Sequence, residues 1–135
     1  ALGSKSAVLP VVLADRVVVV VEPTIPALSD GLKVQEYARS YGTETAGVLF
    51  NKVRDDAADV AEQAERHFGG PVLARVPDSD VVREARRAGK PLLAHAPESD
   101  AAARYRRAAA RLDVRDGDGD AVADRFRSAV VPDTP

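Results

Sequence analysis

Cysteine is absent from the 135 residues, which excludes disulfides and thiol chemistry within them and is compatible with a reducing compartment. Aromatic residues make up only 4% of the chain, so its core must be packed by aliphatic side chains. Lysine is scarce: Lys5, Lys33, Lys52 and Lys90 are the only four, and the other cations are arginines, a bias of the kind a GC-rich genome produces. No excess of one charge sign exists either. Nineteen basic residues face twenty-one acidic ones, and a net charge of −2 gives nucleic-acid binding no support. His67 and His95 are isolated, with no partner four residues on, so no metal site is expected. The longest β-branched run, 17–21, is far too short to span a bilayer, and the opening segment lacks a basic leader and a cleavage site. The chain begins at Ala1 rather than methionine, as a mature or truncated N-terminus would.

What is present suits one globular unit. An apolar fraction of 45% over this length is enough to bury a core. Residues 2–14 read as a short apolar helix or turn. RVVVVVE at 16–22 is continuous and β-branched, which predicts a strand buried on both faces of a parallel sheet. Pro23 and Pro26 end it, and Pro26 suits the start of a helix, where its missing N–H would be unpaired anyway. Gly31, Val34, Ala38 and Tyr41 fall on one face of that helix. A second strand is expected at 45–50, followed by the polar turn Asn51-Lys52-Val53-Arg54.

Ala57, Val60, Ala61, Ala64 and Phe68 then form a helical stripe that Gly69-Gly70-Pro71 stops. A third strand is expected at 72–76, and a short helix through Val81, Val82, Ala85 and Ala88 that ends at Gly89. After a loop to Pro97, a helix of about fourteen residues would bury Ala101, Tyr105, Ala108, Ala109 and Leu112. The fold class is therefore α/β: a partial doubly wound parallel sheet of about three strands with helices on both faces. Strands this apolar expect neighbours on each edge, which points to more sheet upstream. Residues 1–112 form this unit, and 113–135 read as an acidic linker and a weakly structured tail. In that tail Val122, Phe126, Ala129 and Val130 could make a last amphipathic turn or two. Only Arg125 and Arg127 oppose Asp120, Asp124 and Asp133 there, so the tail is a poor membrane anchor.

Few residues invite chemistry by themselves. Gly89-Lys90 has no glycine five residues ahead and is followed by Pro91, so it cannot be a phosphate-binding G-x-x-x-x-G-K-[ST] loop. Asp55-Asp56 reads as the cap of the following helix, and Asp30 as an early-helix anion favoured by the dipole. Arg104, Arg106, Arg107 and Arg111 read as a solvated face balanced by Asp100 and Asp113. Asn51 is the most interesting polar residue. Its carboxamide offers one acceptor and two donors at the carboxyl end of a strand, where open α/β sheets bind ligands, and it can pair with adenine N6 and N7. The plainer reading is that it starts a turn.

Four segments in order carry a family resemblance. LADRVVVVVEPTIPALSDGLK, GVLFNKV, PVLARVPDSDVVREARRAGKPL and PESDAAARYRRAAARL together resemble the C-terminal half of MinD/ParA-type ATPases with a deviant Walker A loop. The resemblance covers about residues 1–112 and implies that the phosphate-binding loop, switch I and the Walker B aspartate precede residue 1. It implies further that Asn51 binds the adenine base and that the 76–78 loop of Val76, Pro77 and Asp78 closes over the ring. Pro77 would pack on the ring and backbone groups would read its edge. Asp78 carries over less directly than Asn51, because family members differ in the residue that follows the proline. No catalytic residue and no metal ligand falls in this chain.

For the intact protein the resemblance implies ATP with Mg²⁺ and ATP-dependent homodimerisation. It also implies a missing N-terminal half and a role in positioning cell division or DNA partition through a division or partition partner. The implied location is cytoplasmic and peripheral to the membrane at most, and the isolated chain is expected to be inactive. The alternative is a non-enzymatic α/β interaction module acting by subunit docking, either a degenerate family member or a receiver-like domain. Lys90-Pro91 resembles the receiver lysine-proline, but the acidic pair of a receiver is missing.

Overall fold

The computed structural model describes residues 5–112 and 116–131. Helix α1 (Lys5–Leu13) leads into strand β1 (Arg16–Val21), helix α2 (Ile25–Ser40) and strand β2 (Glu44–Val53). A 3₁₀ turn (Asp55–Ala57), helix α3 (Ala58–Glu65) and strand β3 (Val72–Pro77) follow. Helices α4 (Asp80–Arg87), α5 (Leu92–His95), α6 (Asp100–Arg111) and α7 (Gly119–Val130) complete the described chain. The three strands form one parallel sheet in the order β1-β2-β3. This is the expected open α/β sheet, and its crossovers are the helices, as parallel pairing requires.

Alternation along the strands divides the core in two. Val19 and Val21 of β1 and Val48 and Phe50 of β2 face α2 and α3, meeting Leu28, Ala61, Ala64 and Phe68. Phe50 and Phe68 pack edge to face with centroids 6.1 Å apart. Leu49, Leu73, Ala74 and Val76 meet Ala101 and Ala108 of α6 in a second cluster. Gly47 is where the sheet passes under the loop before β3. A Cβ there would lie 2.6 Å from the Pro71 carbonyl oxygen, and the backbone sits at φ +156°. Only glycine fits without displacement.

Several expectations need correction. β1 is not buried on both faces: Val18 and Val20 are 38% and 58% exposed. They share a face with Leu49 through the register Val20↔Leu49, but α6 packs over β3 and leaves β1 bare on that side. Asp55 and Asp56 do not cap α3. They form the 3₁₀ turn, and the α3 N-cap position is Ala57, without a side-chain bond. On α6, Ala102 is buried and Ala109 is exposed, so the buried stripe is rotated from the expected one. The loop before Pro97 contains the single-turn α5.

The tail carries a twelve-residue helix, α7, whose N-cap Asp118 accepts from the amides of Asp120 and Ala121. Its Arg125 donates to the carbonyls of Val12 and Ala14 at 3.2 and 2.9 Å, satisfying the open end of α1. The expected counter-charge Asp113 lies outside the described residues. Among the described residues no helix is long and apolar enough to cross a membrane.

Candidate functional site

The carboxyl ends of β2 and β3 bring three of the four candidate residues to one rim, with Val76 just inside it. Register pairs Phe50 with Arg75 and Val53 with Pro77, so Asn51 and Lys52 lie on the stretch of β2 between these pairs, beside the end of β3. Asn51 does not begin a turn; it lies within β2, which continues to Val53. The irregularity comes one residue later. Lys52 takes φ +52°, a left-handed conformation uncommon for a residue with a side chain, and the register shifts there. Its ammonium bridges to Glu22 at 2.7 Å, which ties the exit of β2 to the exit of β1.

Asn51 is half-buried, and its Oδ1 accepts a hydrogen bond from the Tyr105 hydroxyl of α6 at 3.2 Å. That contact uses one of two lone pairs on Oδ1 and fixes which way the amide points. One lone pair and both amide hydrogens remain for a ligand. This donor set fits an adenine edge, where N6–H donates and N7 accepts.

The 76–78 segment differs from a closing loop. Val76 and Pro77 belong to β3, and the Val76 side chain is buried against α6, so only its backbone can reach a ligand. Pro77 is half-buried at the strand end. Asp78 is the first residue past the strand: its amide donates to the Val53 carbonyl at 3.0 Å, and its carboxylate accepts from Arg83 at 2.6 Å. Arg83 also grips Asp80 at 2.6 Å. That hydrogen bond and the guanidinium charge hold the Asp80 carboxyl below its usual range, and the two carboxylates in turn raise Arg83. The start of α4 is thus clamped by one arginine.

Tyr105 and Arg83 escaped the reading of the sequence as site residues. Tyr105 gave a signal, as the one aromatic in an alanine-rich helix, but it fitted a core position equally well. A cavity of about 620 Å³ lies at the opposite end of the sheet, lined by Gln35, Arg39, Thr43, Thr45, His67 and Gly70. It sits at the amino end of β2, away from the edge where open sheets bind ligands. Among the described residues no group of His, Cys, Asp or Glu is placed to hold a metal ion.

The family described as 4Fe-4S iron sulfur cluster binding proteins, NifH/frxC, matches residues 7–119. Iron–sulfur clusters are held by cysteine thiolates, and this chain has no cysteine, so its residues do not fit that group. Two ATP-binding proteins from Methanocaldococcus jannaschii are 33% and 32% identical over 60% and 54% of the chain. The chain spans only 31% and 28% of their lengths. The septum site-determining protein MinD from Pyrococcus horikoshii, complexed with Mg-ADP, superposes with a TM-score of 0.65 at 26% identity. The alignment covers 74% of this chain and 42% of that one. The cell division ATPase MinD from Pyrococcus furiosus gives 0.67 at 26% identity, over 82% and 46%. Profile, relatives and architecture agree: the chain belongs to the NifH/frxC family, among the P-loop ATPases of MinD/ParA type.

Proposed function

We propose that this chain forms the adenine-binding side of a MinD-like ATPase whose phosphate-binding half lies outside it. The observation that carries the reading is Asn51, half-buried at the carboxyl end of the central strand with its amide oriented by Tyr105. The bare β1 face at Val18 and Val20 supports it, because it offers apolar surface on which a helix of the other half could pack.

In this reading the Asn51 amide donates to adenine N7 and its free Oδ1 lone pair accepts from N6. Pro77 packs on the ring, backbone groups of Val76 and Asp78 face its edge, and Arg83 keeps Asp78 in place. Bound ATP with Mg²⁺ supplies the phosphoryl group that is transferred to water. The Mg²⁺ ligands and the phosphate cradle belong to the other half, since phosphoryl transfer rests on positioned amides, a lysine and a metal-binding hydroxyl. The whole protein would dimerise on ATP and position division machinery, or DNA in partition, through a partner of its own.

The test is to join the chain to a half that carries the phosphate-binding loop. Asn51→Ala should then lower ATP affinity by about 1–3 kcal/mol and erode the preference for ATP over GTP. Asn51→Asp keeps an acceptor but loses the donor to N7, and should weaken ATP similarly. A folded Asn51→Ala protein with unchanged affinity and base preference would overturn the assignment.

A further inference from the structure

We infer that the open edge of β3 is a docking groove for an extended acidic peptide of a partner protein. β3 is the outer strand of the sheet among the described residues, and a cleft of about 240 Å³ runs beside it. Val72, Ala74 and Arg75 of β3 form its floor, Glu65 of α3 stands on one side, and Arg104, Arg107 and Arg111 of α6 stand on the other. Because α3 and α6 cover opposite faces of the sheet, a cleft touching both must follow the strand edge.

Its charge is net positive in a chain that is acidic as a whole. Four guanidiniums meet two carboxylates, Arg75 being paired with Glu65 and Arg104 with Asp100 at 3.4 Å. Arg111 donates to the carbonyls of Val72 and Leu73 at 2.8 and 3.1 Å, which anchors α6 to the edge. Arg107 lies exposed between them.

The three arginines of α6 recur at i, i+3 and i+7, so their stems span about 10 Å along the helix. Alternate residues of an extended peptide are about 6.6 Å apart and point the same way, so two carboxylates at alternate positions reach this row. Guanidinium forks bind carboxylates in paired hydrogen bonds, and the outer strand of a sheet offers main-chain groups to an added strand. The Val72 and Leu73 carbonyls are taken by Arg111, so an added strand pairs with β3 beyond them. A second copy presenting the same edge would set arginine against arginine. Duplex DNA has no main chain to pair with β3. Edge arginines also serve simply to keep strands apart, and the experiment separates that role from docking.

The full 135-residue chain is titrated into a fluorescein-labelled peptide alternating valine and glutamate, and anisotropy is read at low and physiological salt. The acidic peptide should bind, and a valine–lysine peptide should not. Arg104→Glu with Arg107→Glu, both exposed or half-exposed and checked by circular dichroism, should weaken binding by about tenfold or more. The acidic peptide with alternate amides N-methylated should weaken by a similar factor, because it keeps its charge and loses the strand bonds. Equal binding of the N-methylated peptide, no preference over the lysine peptide, indifference to the double reversal, or tighter binding of a DNA duplex would each overturn the proposal. None of these readouts involves nucleotide, so they are independent of the Asn51 assignment.

Discussion

Replacing Tyr105 with phenylalanine removes one hydroxyl and nothing else from the junction of α6 with the end of β2. The lost contact is the 3.2 Å hydrogen bond to Asn51 Oδ1. An O–H···O bond of this length is longer than the usual 2.7–2.8 Å, which places it at the weak end of the net range, at about 0.5–1 kcal/mol. Both partners are half-buried, so water can replace part of what is lost. For a chain of this size such a loss lowers the melting temperature by about 2–5 °C.

Asn51→Ala deletes the other partner, and the double variant closes a thermodynamic cycle. Thermal and urea unfolding followed by circular dichroism should give a coupling energy of about 0.5–1 kcal/mol between the two sites. Additivity within about 0.3 kcal/mol would show that the hydroxyl does not hold the amide and that Tyr105 does not orient Asn51. In the rejoined protein Tyr105→Phe should reduce base preference less than Asn51→Ala does, since the amide persists but turns more freely.

Three further outcomes follow from the same structure. Gly47→Ala should destabilise the chain by about 2–3 kcal/mol, through overpacking against Pro71 and Leu73, whereas Gly42→Ala, at φ +73° with open space around it, should cost about 1 kcal/mol from strain alone; equal midpoint shifts in urea would refute the packing argument. Asp80 titrates below its ordinary value in the folded state, so its stabilising contribution is present above the unfolded pKa and fades as pH falls through the folded one; a carboxyl NMR titration should show Arg83→Gln moving it back up, and no movement would discount the clamp at the start of α4. The chain alone should hydrolyse no ATP above a Mg²⁺ buffer control, and turnover surviving repurification would sink the division of labour between two halves.

Local chemistry made much of this protein legible from its sequence. Val19 and Val21, and Val48 and Phe50, lie in strands where a β-branched, apolar run had to lie, and Gly89 ends α4 where a left-handed residue is needed. The parallel α/β class follows from strands alternating with helices, because parallel neighbours cannot be joined by a hairpin. The position of Asn51 at a carboxyl strand end was readable for the same reason.

Tertiary structure decided what depends on distant partners. Val18 and Val20 have the same local sequence as Val19 and Val21, yet they are bare because α6 covers β3 and not β1. Val76 is one of the four candidate site residues, but alternation turns its side chain into the α6 core. Lys52 adopts a left-handed backbone that no composition rule assigns to lysine; it sits where the register of β2 against β3 shifts. Tyr105 reaches Asn51 across 54 residues of chain, and such a bond exists only after α6 has packed on the sheet. Periodicity reports which face of an element is apolar; only the packed fold settles what, if anything, that face meets.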